Sequence, residues 1–233
     1  MRRLAGEERT IWGRWVIANG LGEFIGLTTT LAMTAGLFSA NDDLGPGAAL
    51  LAAAGVAVAG AAVEGVVVGF AQWSVLRRAL PQLQWRPWVR ATAVGALVAW
   101  LLGMMPSTFF QAMAATAETT SVAPAFDPPL ILQLVMAAVM GFALGPILGI
   151  PQWLVLRAHL PRVGRWVLAN AVAWTAGMPM IFLATGLIGT EWTAAQIGAT
   201  VAVGCLAAGL VVGAVHGLWL VRMLAEKDAT PVI

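Results

Sequence analysis

Six long apolar stretches, separated by short polar segments, account for most of the chain. They cover residues 15–38, 47–76, 88–105, 130–156, 166–188 and 193–221. Each reaches about 18 residues or more, which is enough for a helix to cross about 30 Å of hydrocarbon. Alternation with a period of two, which marks the strands of a transmembrane barrel, is absent. The pattern therefore predicts an all-α membrane protein with six transmembrane helices in a single integral membrane domain, residues 1–233.

The end of the second apolar stretch recurs at the end of the fourth. Residues 65–81 read GVVVGFAQWSVLRRALP, and residues 145–161 read GPILGIPQWLVLRAHLP. A looser third copy keeps the same spacing at Gly209, Gly213 and His216. A fixed period indicates a repeat architecture. The glycines of each copy form a G-x-x-x-G pattern, which predicts close approach of a neighbouring membrane helix.

The starts of three apolar stretches repeat as well. They read RWVIAN at 14–19, PWVRAT at 87–92 and RWVLAN at 165–170. The predicted unit is an outgoing helix, an outer loop and a returning helix, and three units cover residues 14–81, 87–161 and 165–223. Because each unit crosses the membrane twice, all three share one orientation, which is typical of parallel repeats around the membrane normal. We expect a bundle with pseudo-threefold symmetry.

This pattern resembles uncharacterised bacterial multi-pass membrane proteins with repeated G-x-x-Q-W-x-x-L-R segments. The matching residues are 69–77 (GFAQWSVLR) and 149–157 (GIPQWLVLR), and the third copy departs from the pattern at His216. The resemblance implies a membrane location and brings no activity with it.

The positive charges predict the orientation of the chain. All 13 Lys and Arg residues fall on one side of the six-helix topology, around the N-terminus, the links at 77–90 and 157–165, and the C-terminal end. The opposite side carries only acidic charges, and it includes a predicted external loop at 106–128. The positive-inside rule then places both termini in the cytoplasm. We expect a bacterial cytoplasmic membrane as the location, and a flexible C-terminal tail at 224–233.

Tryptophan supports the same orientation. Eight of the 11 tryptophans lie at or near the basic side: Trp12, Trp15, Trp73, Trp85, Trp88, Trp153, Trp166 and Trp219. Such a distribution predicts an aromatic belt at the cytoplasmic interface. An aromatic cage for a ligand is the alternative interpretation.

Polar residues recur at one depth inside the apolar stretches, about 7–9 Å from the basic edge. They are Asn19, Gln72, Gln152, Asn170 and His216. One interpretation is a set of clamps between helices, pairing Asn19 with Gln72, Thr92 with Gln152, and Asn170 with His216. The other is a polar ring around the bundle axis that binds a solute or water.

Three arginines follow the polar positions along the returning helices. Arg77, Arg157 and Arg222 could mark topology and contact lipid phosphates, or form a basic ring that attracts anions to an inner mouth.

Two glutamates lie deeper than the other polar residues. Glu23 is about 13 Å and Glu64 about 20 Å from the basic edge. A charge near the centre of the bilayer costs at least about 2.5–3.5 kcal/mol. The other two units have apolar residues at the matching positions, so the repeat does not require these acids. Each is either a protonated side chain bonded to a neighbouring helix or part of a proton or cation relay.

Composition and motifs narrow the function. The residues are 60% apolar and 10% charged, which excludes a soluble globular class. The lone Cys205 and the two histidines offer no cofactor or metal site, and no catalytic or nucleic-acid-binding motif occurs. We therefore expect no enzyme. The favoured function is a small transporter or channel-like permease with an intramembrane acid relay, working in the lipid bilayer on a small solute or ion. The alternative is a structural or accessory subunit of a membrane complex, bound to a membrane protein partner and without transport activity.

Overall fold

The computed structural model describes residues 6–39, 45–116 and 128–228. Six helices make up this part of the chain, and it contains no strand. They are α1 (Gly6–Ser39), α2 (Pro46–Ala79), α3 (Trp85–Thr116), α4 (Leu130–Leu156), α5 (Arg165–Gly186) and α6 (Ala194–Asp228). The all-helical class predicted from the apolar stretches is confirmed.

Five of the helices, α1, α2, α4, α5 and α6, are long and apolar enough to cross a membrane. Large apolar side chains cover their outer faces, and Leu51, Ile131 and Val203 are 77%, 70% and 64% exposed. Soluble proteins rarely expose apolar surface on this scale. The chain is therefore a multi-pass membrane protein whose outer surface suits contact with lipid.

The helices form a closed, antiparallel ring. Each helix packs against its neighbours in chain order, and α6 packs back against α1. Gly22 of α1 lies against Val68 of α2, and Gly26 lies against Glu64, so these two helices run in opposite directions. The same alternation continues around the ring. One end of the bundle, which we call the basic end, therefore holds the start of α1, the links α2–α3 and α4–α5, and the end of α6.

Glycines allow three of the helix contacts to be very close. A methyl group at Gly145 of α4 would lie 2.5 Å from the carbonyl oxygen of Asn170, and one at Gly209 of α6 would lie 2.6 Å from that of Asn19. At Gly65 of α2 the added carbon would collide with the backbone of Ala93. The G-x-x-x-G pattern thus brings each returning helix against the next outgoing helix around the ring, as expected for membrane helices.

Aromatic and leucine side chains fill the centre of the basic end. Trp15, Trp88 and Trp166 are each 0% exposed. Their ring centroids lie 6.0 Å apart for Trp15 and Trp166, and 6.5 Å apart for Trp88 and Trp166. Leu76, Leu156 and Leu220 join the same cluster. The assignment of these three tryptophans to an interfacial belt is therefore wrong, because the bundle encloses them.

Several predicted boundaries shift in the structure. The α3 helix continues to Thr116, so residues 106–116 of the predicted external loop are helical, and residues 117–127 lie outside the described part. The α6 helix continues to Asp228 and takes in residues 224–228 of the predicted tail. Pro146 and Pro151 lie within α4, which remains one helix through both.

Candidate functional site

The polar positions of the outgoing helices share one local geometry. Each lies one turn after a buried tryptophan and donates a hydrogen bond to that tryptophan's carbonyl oxygen. The donor–acceptor distances are 2.7 Å from Asn19 to Trp15, 3.1 Å from Thr92 to Trp88, and 2.9 Å from Asn170 to Trp166. For the two asparagines, this bond uses the amide nitrogen and orients the side chain against the neighbouring helices.

A chain of side-chain hydrogen bonds crosses the bundle at this level. Gln72 Nε2 donates to Asn19 Oδ1 at 2.8 Å. Gln152 Nε2 donates to Gln72 Oε1 at 3.1 Å and to Thr92 Oγ1 at 3.0 Å, and Gln152 Oε1 accepts from Trp166 Nε1 at 3.0 Å. These bonds connect α1 to α5 through α2, α3 and α4.

Two of the three predicted clamps are present. Asn19 bonds Gln72, and Thr92 bonds Gln152. The third pair, both of whose residues are described, has no hydrogen bond between Asn170 and His216. Instead His216 Nδ1 accepts from Trp15 Nε1 at 2.9 Å. The direct bond between the two glutamines, which the clamp interpretation did not include, joins the separate pairs into one layer.

All seven residues predicted for the intramembrane polar site line one cavity in the middle of the bundle. They are Asn19, Glu23, Glu64, Gln72, Gln152, Asn170 and His216. The remaining lining residues are Val68, Thr92, Ala96, Leu148, Trp174 and Val212, so every helix contributes. The lining residues of each helix are spaced by four along the chain, which places them on one helix face.

The volume of this central cavity limits its contents. It measures about 20 Å³, which is room for about one water molecule. The clamp and ring interpretations therefore describe the same residues, since the amides that join the helices also border the cavity. An organic solute does not fit at this volume.

The two glutamates have different partners. Glu64 is 7% exposed, and its Oε2 accepts a hydrogen bond from Trp100 Nε1 at 2.7 Å. Glu23 is 3% exposed, and its Oε2 has no hydrogen-bond partner among the described residues. A buried polar atom without a partner is costly. Glu23 is therefore the least satisfied group of the site.

The arginines of the predicted basic ring all lie on the exposed surface of the basic end. The guanidinium groups of Arg77 and Arg157 stack over the tryptophan four residues earlier in the chain, at 5.0 and 5.6 Å from the ring centroids. A cavity of about 530 Å³ at this end, between α1, α2 and α6, is lined by none of the three. The apolar cluster around Trp166 fills the centre instead.

The sequence did not predict two kinds of contact at the site. Trp15 donates to His216, and Trp166 donates to Gln152. Trp100 donates to Glu64. The repeated pair of a tryptophan with an asparagine or threonine four residues later was the available signal, because residues four apart share a helix face. Trp100 belongs to no repeat, so no sequence pattern identified it.

Within the part of the chain that the structure describes, no group of three or more His, Cys, Asp or Glu residues could hold a metal ion. Comparison with known proteins gives no relative: no protein-family model, no curated protein and no solved structure matches the chain. Function must therefore be argued from the site alone.

Proposed function

We propose that the chain crosses the membrane six times as three parallel two-helix repeats with pseudo-threefold symmetry. The equivalent residues Trp15, Trp88 and Trp166 are all fully buried, and each accepts a side-chain bond from the residue four positions later. The glycine contacts of α2, α4 and α6 match in the same way. The α3 helix supplies the sixth span, since its 32 residues extend about 48 Å.

The proposed location is a bacterial cytoplasmic membrane with both termini in the cytoplasm. The antiparallel ring brings the arginines and lysine of the described chain to the basic end, and the positive-inside rule assigns that end to the cytoplasm.

Within this architecture we propose a small transporter or channel-like permease that moves a small ion by means of an intramembrane acid relay. One observation carries the proposal: Glu23 and Glu64 border the same central cavity, with polar side chains from all six helices around them. Ionisable groups inside a membrane bundle usually mark an ion or proton pathway. The cavity has room for about one water molecule, so we expect a cargo of that size.

Such a protein would be closed toward the basic end in this arrangement. The cluster of tryptophans and leucines lies between the cavity and the basic end. Release toward the cytoplasm would require Trp15 or Trp166 to give up its bond to the polar layer and move. Opening of the basic end would therefore break hydrogen bonds of the polar layer that borders the two acids.

Flux through reconstituted vesicles tests this function. Purified protein in liposomes should dissipate an imposed proton gradient, followed with a trapped pH-sensitive dye. Glu23→Gln or Glu64→Gln should slow the flux by about 100-fold or more, because each removes a proton acceptor from the relay. Glu191→Gln, at an exposed acid in the α5–α6 link, is the matched control and should leave the flux unchanged. Equal flux in all four proteins, or none above protein-free vesicles, contradicts the proposal.

The accessory-subunit function is the second candidate, favoured by the small cavity and the closely packed glycine contacts. It predicts no flux at any pH, together with a partner that co-purifies in a fixed ratio from mildly solubilised membranes. A protein that transports alone in vesicles would exclude it.

A further inference from the structure

The four amide side chains of the polar layer each donate at least one hydrogen bond, and none of these bonds goes to Glu23. The amide groups of Gln72 and Gln152 donate to Asn19, Gln72 and Thr92. Those of Asn19 and Asn170 donate to backbone carbonyls of their own helices. In this arrangement no described side chain donates to Glu23 Oε2, so an occupant of the cavity is the partner left for it.

The two carboxyl groups are not equivalent. Trp100 donates a hydrogen bond to Glu64, and a bond of this kind stabilises an ionised carboxylate. Glu23 Oε2 has no such donor, and it is enclosed where water from outside does not reach it. Two carboxylates that share a buried site do not both stay ionised, since like charges at short range repel in a medium of low dielectric. The geometry thus favours the charge on Glu64 and a proton on Glu23.

A metal cation suits the cavity less well. Hard cations take six or more oxygen ligands. Here the side-chain oxygens of Asn19, Gln72 and Gln152 already accept hydrogen bonds, and one oxygen of Glu64 does so too. A volume of about 20 Å³ leaves room for one water and not for a hydrated ion.

We propose that the central cavity binds one exchangeable proton, carried on Glu23, together with one water that bridges the protonated Glu23 to the carboxylate of Glu64. The water accepts from the Glu23 hydroxyl and donates to Glu64, so each member of the bridge has a partner, and the site carries one negative charge. This proposal rests on the proposed function in taking the two acids as the ion site, and it names the ion as a proton.

The helices packed against α1 bring few other titratable groups to this site. The α2 helix supplies Glu64, and α6 supplies His216 in the cavity wall and Cys205 close to both carboxyl groups. In the described part of the chain, the arginines belong to the basic end and are separated from the cavity by the apolar cluster. The occupancy of the proton site should therefore depend on the ionisation of Glu23 and Glu64.

Infrared spectroscopy of the full-length protein in lipid vesicles tests the proton site directly, because a protonated carboxyl has its own C=O stretching band. Wild type should show a band from a buried carboxylic acid that shifts in D₂O and disappears as the pH is raised. Glu23→Gln should remove the band, whereas Glu64→Gln and the control Glu191→Gln should retain it. Glu23→Asp keeps the carboxyl group and should retain the band, which guards against a Gln variant that fails to fold.

Each other outcome overturns the assignment. Absence of the band from wild type at every pH excludes a resident proton. Loss of the band in Glu64→Gln, with retention in Glu23→Gln, would place the proton on Glu64 instead of Glu23. Loss of the band when sodium chloride replaces choline chloride at constant pH identifies a metal-cation site. The band and the flux are separate readouts. A band without flux supports the proton site and excludes the transport function. Flux without the band supports transport and excludes the proton site.

Discussion

At the scale of single residues, the three buried tryptophans differ in what their indole nitrogens contact. Trp15 donates to His216 and Trp166 donates to Gln152. Trp88 Nε1 is buried and has no partner among the described residues. Gln72 of α2 matches Gln152 in the sequence alignment of the repeats. Its side chain bonds to Gln152 and Asn19, so it does not accept from Trp88 Nε1.

This difference predicts unequal effects of one substitution. Trp166→Phe should lower the free energy of unfolding by about 1 kcal/mol more than Trp88→Phe, since it removes a hydrogen bond and leaves Gln152 Oε1 buried without its donor. The loss of ring volume is the same in both variants, so each is the other's control. Chemical unfolding in mixed detergent micelles measures the difference. Equal losses would show that the Trp166 bond adds nothing.

The polar residues of the site were predictable from the sequence, while their partners were not. Repeat alignment and depth identified Asn19, Gln72 and Gln152, because polar atoms inside an apolar stretch are expensive and stand out. The greater predicted depth of Glu23 and Glu64 in the membrane separated them from these three residues. The structure brings all five to one cavity, because residues spaced by four lie on a common face that runs along the helix.

At the scale of the helices, the glycine pairs decide which neighbours come closest. A G-x-x-x-G pattern in the sequence marks a packing face without naming the partner helix. In the structure, Gly145 and Gly149 of α4 lie against α5, and the glycines of α2 and α6 lie against α3 and α1 in the same way. Helix existence and packing faces were therefore predictable, and the choice of neighbour required the three-dimensional arrangement.

A pair of alanine substitutions tests this contact. Gly145→Ala should destabilise the bundle by about 1–3 kcal/mol, because the added methyl group collides with the carbonyl oxygen of Asn170 and pushes α4 away from α5. Gly198 lies on the exposed surface of α6 with nothing within 4 Å of an added methyl group, so Gly198→Ala should be neutral or should stabilise the helix by up to about 1 kcal/mol. Thermal unfolding in detergent compares the two, and a Gly145 variant as stable as the Gly198 variant would contradict the close contact.

At the scale of the whole molecule, the proposed orientation gives opposite exposure to the two ends of the ring. Ala158 lies in the exposed α4–α5 link at the basic end, and Glu191 lies in the exposed α5–α6 link at the other end. The single native cysteine, Cys205, is buried. Two variants, each with one added cysteine, can therefore be labelled without removing Cys205.

In intact cells, a membrane-impermeant maleimide should label Glu191→Cys and should label Ala158→Cys only after permeabilisation. This follows from placing the basic end in the cytoplasm. The wild-type chain is the background control, since the enclosed thiol of Cys205 should not react. Labelling of Ala158→Cys in intact cells would reverse the orientation, and labelling of both from the same side would contradict the antiparallel ring.

The closed ring also has a consequence for biosynthesis. Glu23 belongs to α1, which is synthesised before α2–α5, whereas Gly209, which packs against it, belongs to α6, which is synthesised after them. On the proposed six-span topology, the flank of α1 that carries Asn19 and Glu23 therefore stays uncovered until α6 follows α2–α5 into the membrane. Because an acid in lipid is costly, the nascent protein has to shelter that flank during insertion, and the arrival of α6 completes both the ring and the burial of Glu23.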